Sequence, residues 1–156
     1  MLWCSRKKKV PITFIDADVQ VPYPYNRPLY VPATVHDVEF KRTLFDGGAS
    51  LNIMPLSTFK VAGIPKEKLI PQGIDIAGFC NDTRQTLEFV TTALRLRKFH
   101  TPTTFYVLDA DTSYHLLIRR AWMHKFGIVP STYHQCMKGR IDTSEGRKVF
   151  TINGTL

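Results

Sequence analysis

Apolar and polar residues alternate with a period of two along much of the chain, broken by clusters rich in glycine, proline, asparagine and aspartate. That alternation marks strands with one buried face. Residues 29–46, LYVPATVHDVEFKRTLFD, predict two strands around a tight turn at His36-Asp37. In the second, Val38, Phe40, Arg42 and Leu44 alternate with Glu39, Lys41, Thr43 and Phe45. The piece LNIM predicts a short strand at 51–54. Pro55 then suits the first position of a short helix, LSTFKVAG, ending at Gly63. Residues 73–99 read as a long hairpin whose turn is CNDTR, and TTFYVLDAD as a further strand. YHLLIRRAWMHKFG passes from an apolar strand into a helix stopped by Gly127, with Trp122, Met123 and Phe126 at core spacing. KVFTINGT predicts a last strand. Upstream, VPYPYNRP is proline-rich and extended, while PITFIDADV is read as a candidate edge strand. The class is mostly β with one or two short helices.

The chain has 156 residues, the size of one domain with a substantial core. Its net charge is +8, gathered at Arg6, Lys7, Lys8 and Lys9 and again at Arg95, Arg97 and Lys98. Neither cluster is interleaved with aromatics as a single-strand nucleic-acid groove is, so nucleic acid is expected to be bound only non-specifically, if at all. The cysteines, Cys4, Cys80 and Cys136, are three in number and scattered, which predicts free thiols in a reducing compartment, cytoplasmic or nuclear. His134 and Cys136 are close, but two ligands make no zinc site, and no metal or cofactor is expected. There is no apolar run of about 18 residues, so no membrane contact is expected. MLWCSRKKKV lacks the apolar stretch of a signal peptide.

The stretch with chemical promise is TLFDGGASLNIMP, residues 43–55. Asp46 follows the apolar end of a strand, and Gly47 and Gly48 permit a tight loop in which backbone N–H groups approach the carboxylate. The residues alone leave two readings open. One is an ordinary Asp-Gly turn. The other is a partly desolvated acid, whose burial raises its pKa while N–H donors lower it, the balance on which acid–base chemistry draws. Ser50 lacks the G-x-S-x-G setting of a hydrolase nucleophile and is read as a local hydrogen-bonding residue of the loop.

The order of strand, D-x-G-A-S, short apolar strand, proline and helix resembles the active-site segment of retropepsin-like aspartic proteases. SLNIMPLSTFKVAGIP, IAGF and above all AWMHKFGIVPSTYHQCMK are similar to the protease region of plant Ty3/gypsy-type retrotransposon gag-pol polyproteins, over about residues 12–156. The resemblance implies a closed β-barrel lobe, the retropepsin-like (acid protease) fold, at 29–137. It would be preceded by a polyprotein extension at 1–28 and followed by a strand and linker at 138–156. It implies Asp46 as the catalytic residue, Gly47, Gly48, Ala49 and Ser50 as the active-site loop, and Gly78, Phe79 and Cys80 in a flap over an extended polypeptide substrate. In that family two aspartates share a proton, one acting as base on a water. With one such segment in the chain, a two-aspartate site requires a homodimer with one Asp46 from each copy.

Several positions depart from the family pattern. Gly47 stands where serine, threonine or asparagine is usual, Arg119 where glycine is, and Ala121 where proline is. Cys80, Asn81 and Glu88 replace glycines. These departures carry an alternative reading, a catalytically degenerate relic that serves as a dimerisation or peptide-binding module.

Overall fold

The computed structural model describes residues 10–19, 27–75 and 86–155. Strands β1 (Ala33–Val35) and β2 (Val38–Phe40) form the first hairpin. His36 and Asp37 carry it, with φ of 50° and 67°. Two successive left-handed residues match the twist of the flanking strands.

The predicted second strand is split. After β2 the chain breaks at Lys41-Arg42 and resumes as β3 (Thr43–Phe45). Phe40 and Phe45 are both buried. In an unbroken strand an even and an odd residue point to opposite faces, so one ring would face water. The break resets the alternation, and the buried Thr43 hydroxyl holds it by donating to the Phe40 carbonyl at 2.9 Å.

Next come β4 (Ile53–Pro55) and α1 (Leu56–Ala62). Pro55 ends the strand at the helix N-cap, one position earlier than expected, and Gly63 closes the helix in the left-handed region at φ 75°. Strands β5 (Ile70–Asp75), β6 (Thr86–Leu96) and β7 (Phe99–Leu108) follow. β5 and β6 pair antiparallel as the expected hairpin, and the intervening residues, with Gly78, Phe79 and Cys80, lie outside the described residues. β6 and β7 form a second long hairpin turning at Arg97-Lys98. β8 (Leu116–Ile118) is fully buried and leads into α2 (Arg120–Met123).

These strands form one sheet ordered β2-β1-β6-β7-β4-β8-β3, with β5 added to β6. The sheet curls back on itself. The outer edge of β3 bonds to the lead-in of β1, with Val31 N–H donating to the Thr43 carbonyl and Phe45 N–H to the Leu29 carbonyl, both at 3.0 Å. The result is a nearly closed barrel. Its core includes Leu29, Val31, Phe45, Met54, Phe59, Leu94, Phe105, Ile118 and Trp122. Trp122 meets Phe45 edge-on at 5.8 Å and Phe126 at 5.1 Å, which places the expected aromatic side chains of 122–126 in or against the core.

The remainder was only partly foreseen. β9 (Val129–Ser131), β10 (Cys136–Thr143) and β11 (Gly146–Asn153) make a separate three-stranded sheet. Only β11 matches an expected strand. The expected edge strand at 11–19 is replaced by extended chain and a 3-10 turn at Asp16–Asp18. The Asp18 carboxylate accepts the Ile15 N–H at 2.9 Å, and this local bond takes the place of ladder pairing. The segment straps onto the three-stranded sheet. Lys138 Nζ reaches Asp18 Oδ2 at 2.8 Å and the Thr13 carbonyl at 3.0 Å, and Arg140 Nε reaches the Val10 carbonyl at 2.6 Å.

Candidate active site

Strand order builds the Asp46 loop. β3 and β4 are consecutive in sequence but not neighbours in the sheet, because β8 lies between them, parallel to β3 and antiparallel to β4. The connection 46–52 must therefore arch over the end of β8. The arch is fastened from beneath by residues 118–121. Asp46 N–H donates to the Ile118 carbonyl at 3.0 Å. Arg120 N–H donates to Ala49 and Ala121 N–H to Ser50, each at 3.1 Å. The last two are donors at the start of α2 that lack intrahelical partners, so the loop and the helix satisfy each other.

Within the arch, Gly48 N–H donates to Asp46 Oδ1 at 2.9 Å. A Cβ on residue 48 would stand 3.1 Å from the same oxygen, so glycine leaves the carboxylate room to sit against the backbone, whereas a Cβ at Gly47 meets nothing within 4 Å. Ser50 contributes its backbone carbonyl to the loop, rather than a hydroxyl bond. The expected burial of Asp46 is not found: Asp46, Gly47, Gly48 and Ser50 are exposed and Ala49 half-buried. The arch projects from the barrel, and among the described residues no element covers it. Desolvation of this carboxylate requires another surface.

Asn52 is the residue that sequence reasoning missed. Its side chain is buried, with Oδ1 accepting the Arg119 N–H at 2.8 Å and Nδ2 donating to the Thr104 carbonyl at 3.3 Å. Its backbone carbonyl takes the Tyr106 N–H at 2.9 Å. One asparagine thus ties the far end of the arch to β7 and to the chain leaving β8. The signal was a single amide in the apolar run LNIM, since a buried amide must find partners.

Arg119 stands at the junction of β8 and α2, half-buried, and its Nε is enclosed without a hydrogen-bond partner. Its charge lies near Tyr114, whose hydroxyl is pushed above its ordinary pKa by burial and drawn back by Arg119. Elsewhere, His134 Nδ1 hydrogen-bonds with Ser131 Oγ at 2.7 Å, and Cys136 is a buried free thiol. No group of three potential metal ligands occurs among the described residues.

Three solved structures share this fold. The retroviral protease-like domain of Ddi1 from Leishmania major superposes with a TM-score of 0.56 at 24% identity, over 70% of this chain and 86% of that one. The fold is that of the retropepsin-like aspartic proteases. EIAV protease in complex with the inhibitor HBY-793 superposes at 0.52 with 14% identity, over 71% of this chain and 99% of that one. A retropepsin-like aspartic protease from Rickettsia conorii gives 0.50 and 18%, over 65% and 75%. Neither a protein-family model nor a curated protein matches the sequence.

Proposed function

We propose that the chain is an aspartic endopeptidase domain that works as a homodimer and processes a retrotransposon polyprotein. The observation that carries this reading is the Asp46 carboxylate, held on an arched loop by the Ile118 carbonyl and the Gly48 N–H in a retropepsin-like fold. Two such loops meeting about a two-fold axis would cover each other and bring two carboxylates together. Like charges in contact cannot both ionise, so the pair would hold one proton. The ionised member takes a proton from water as it attacks the peptide carbonyl. The protonated member donates to the carbonyl oxygen, and the proton on the first then passes to the leaving nitrogen. The substrate is an extended polypeptide bound through its backbone, and the flap role of Gly78, Phe79 and Cys80 rests on the sequence resemblance alone. The polyprotein origin rests on the sequence resemblance, as does the reducing intracellular setting on the scattered cysteines.

Two observations favour a second reading, a relic that dimerises or binds peptides without cleaving them. Gly47 has no hydroxyl to brace the loop across a dimer, and Arg119 holds an unpartnered Nε beneath it. One experiment separates the two. The purified chain and its Asp46→Asn variant are incubated with a denatured protein mixture at mildly acidic pH. New termini are then read by mass spectrometry. Cleavage by the parent alone, with specific activity rising with concentration, is the expected result. Equal termini from two folded proteins would leave the binding module.

A further inference from the structure

The turn between β6 and β7 meets β11 at an open cleft of about 340 Å³, lined by Arg97, Lys98, Phe99, Phe150, Ile152 and their neighbours. None of these residues belongs to the Asp46 loop or bonds to it. Leu96 and Phe99 pair across the two-residue turn Arg97-Lys98. Arg97 has φ 54°, in the left-handed region where glycine would be relaxed, so the turn bears strain to present an arginine. Arg95, two residues earlier, emerges on the exposed face of β6, paired across the ladder with the exposed His100.

These cations differ from the three that form ion pairs among the described residues. Lys138, Arg147 and Lys148 each have a carboxylate partner. Arg95, Arg97 and Lys98 are exposed and, among the described residues, have no side-chain hydrogen bond or ion pair. Two acids stand nearby, Glu39 in a hollow with Arg95 and Arg97 and Asp37 in one with Arg95 and His100. Both lie on the β1–β2 side, and no acid lines the cleft itself.

The aromatics that the sequence did not place beside this cluster are supplied by the fold. Phe99 and Phe150, about fifty positions apart in the chain, stand with ring centroids 5.3 Å apart, each partly exposed at the cleft wall. Gly139 is the cross-strand partner of Phe150, and a Cβ there would come within 2.7 Å of the ring. The missing side chain lets the ring lie over the strand.

Unpaired cations bordering recessed aromatic rings fit a ligand with repeated negative charges and flat apolar faces. We propose that this cleft binds single-stranded nucleic acid, with Arg97 and Lys98 on phosphates at its rim, Arg95 extending the basic track into the adjoining hollow that it lines with Arg97, and the Phe99–Phe150 pair against a base. Any base offers a π face, so the site is tolerant of sequence. A membrane surface would call for protruding apolar tips, and these rings are recessed.

The test uses the full chain and fluorescein-labelled oligo(dT), followed by anisotropy across a salt series. Replacing Arg95, Arg97 and Lys98 together by glutamine is expected to weaken binding about tenfold or more and to lower the slope of log affinity against log salt by about 2, three phosphate contacts at about 0.7 each. All three side chains are exposed, and a thermal melt checks that the variant is folded. Neutralising Lys60, Lys66 and Lys68, also exposed, removes the same charge and is expected to change affinity less than about twofold. An abasic oligonucleotide is expected to bind more weakly than oligo(dT). Equal weakening by both triple variants would overturn the site, as would loss of binding only when residues 6–9 are neutralised. Equal affinity for the abasic strand would overturn the role of the rings.

Discussion

The side chain of Asn52 closes a hydrogen bond of 2.8 Å on the backbone N–H of Arg119, 67 residues further along the chain. This bond and the Asp46–Ile118 bond pin the two ends of one arch to adjacent residues where β8 gives way to α2. Asn52→Ala removes an acceptor and a donor from a buried position. The expected loss is about 1–3 kcal/mol for each backbone group left unpaired, and at about 2–4 °C per kcal/mol for a chain of this size the melting temperature falls by several degrees. Peptide cleavage, measured below the new melting temperature, is expected to fall further than the folded fraction does, because the arch carries Asp46.

Arg119 offers the opposite case. Its backbone is extended, at φ −125° and ψ −164°, and any residue adopts that conformation. Its N–H bond to Asn52 does not depend on the side chain. Arg119→Ala therefore keeps the arch and removes an enclosed Nε that lacks a partner. Stability is expected to rise by up to about 1 kcal/mol, read by urea denaturation. Sedimentation at matched concentration is expected to show more dimer. A loss of stability would mean that the guanidinium is satisfied by a group from a second copy.

The strap at 10–19 gives the fold an acid-sensitive fastening. The Asp18 carboxyl is held below its ordinary value of 3.8 first by the hydrogen bond from Lys138 and then by the Ile15 N–H, with the charges of Lys138 and His134 adding to the effect. A depressed folded pKa contributes stability that is complete above the unfolded value and is lost as pH falls through the folded one. Asp18→Asn is expected to lower the melting temperature at neutral pH. The gap from the parent should narrow below pH 3.8, the range in which the parent carboxyl takes up its proton. A constant gap across that range would show that the charge plays no part.

Gly139 is a packing glycine. A Cβ there would meet the Phe150 ring at 2.7 and 2.9 Å and Ile128 at 3.2 Å. Gly139→Ala is expected to cost about 1–3 kcal/mol through overpacking, measured by urea denaturation. Adding Phe150→Leu should return part of that loss, and a double variant no better than the single one would refute the contact.

Local rules made much of this molecule legible. Residues 36 and 37 turn the first hairpin, Gly63 ends a helix in the left-handed region, and Leu116–Ile118 is the buried strand beneath the aspartate loop. Each depends on near neighbours or on an uninterrupted apolar run. The features that escaped depend on distant partners. β10 contains the buried Lys138 and Gly139, which no alternation rule places inside. Lys138 is accommodated because Asp18, 120 residues earlier, meets its ammonium. Gly139 is accommodated because a ring from the next strand covers it. The break after Phe40 answered a conflict between two aromatic rings over one core, and Asn52 looked like a lone amide until both its partners were in place. Exposure of Asp46 was illegible for a related reason: it depends on what packs over the loop, and among the described residues nothing does.

The insertion of β8 between β3 and β4 also sets an order of events. Synthesis proceeds from the N-terminus at about 5–20 residues per second, so Asp46 emerges roughly 4–14 s before Ile118. Throughout that interval β3 and β4 exist without the strand that separates them, and the carboxylate has no fixed position. Contacts this distant in sequence are slow to close. The chain therefore arms its site late, when most of the barrel has already left the ribosome.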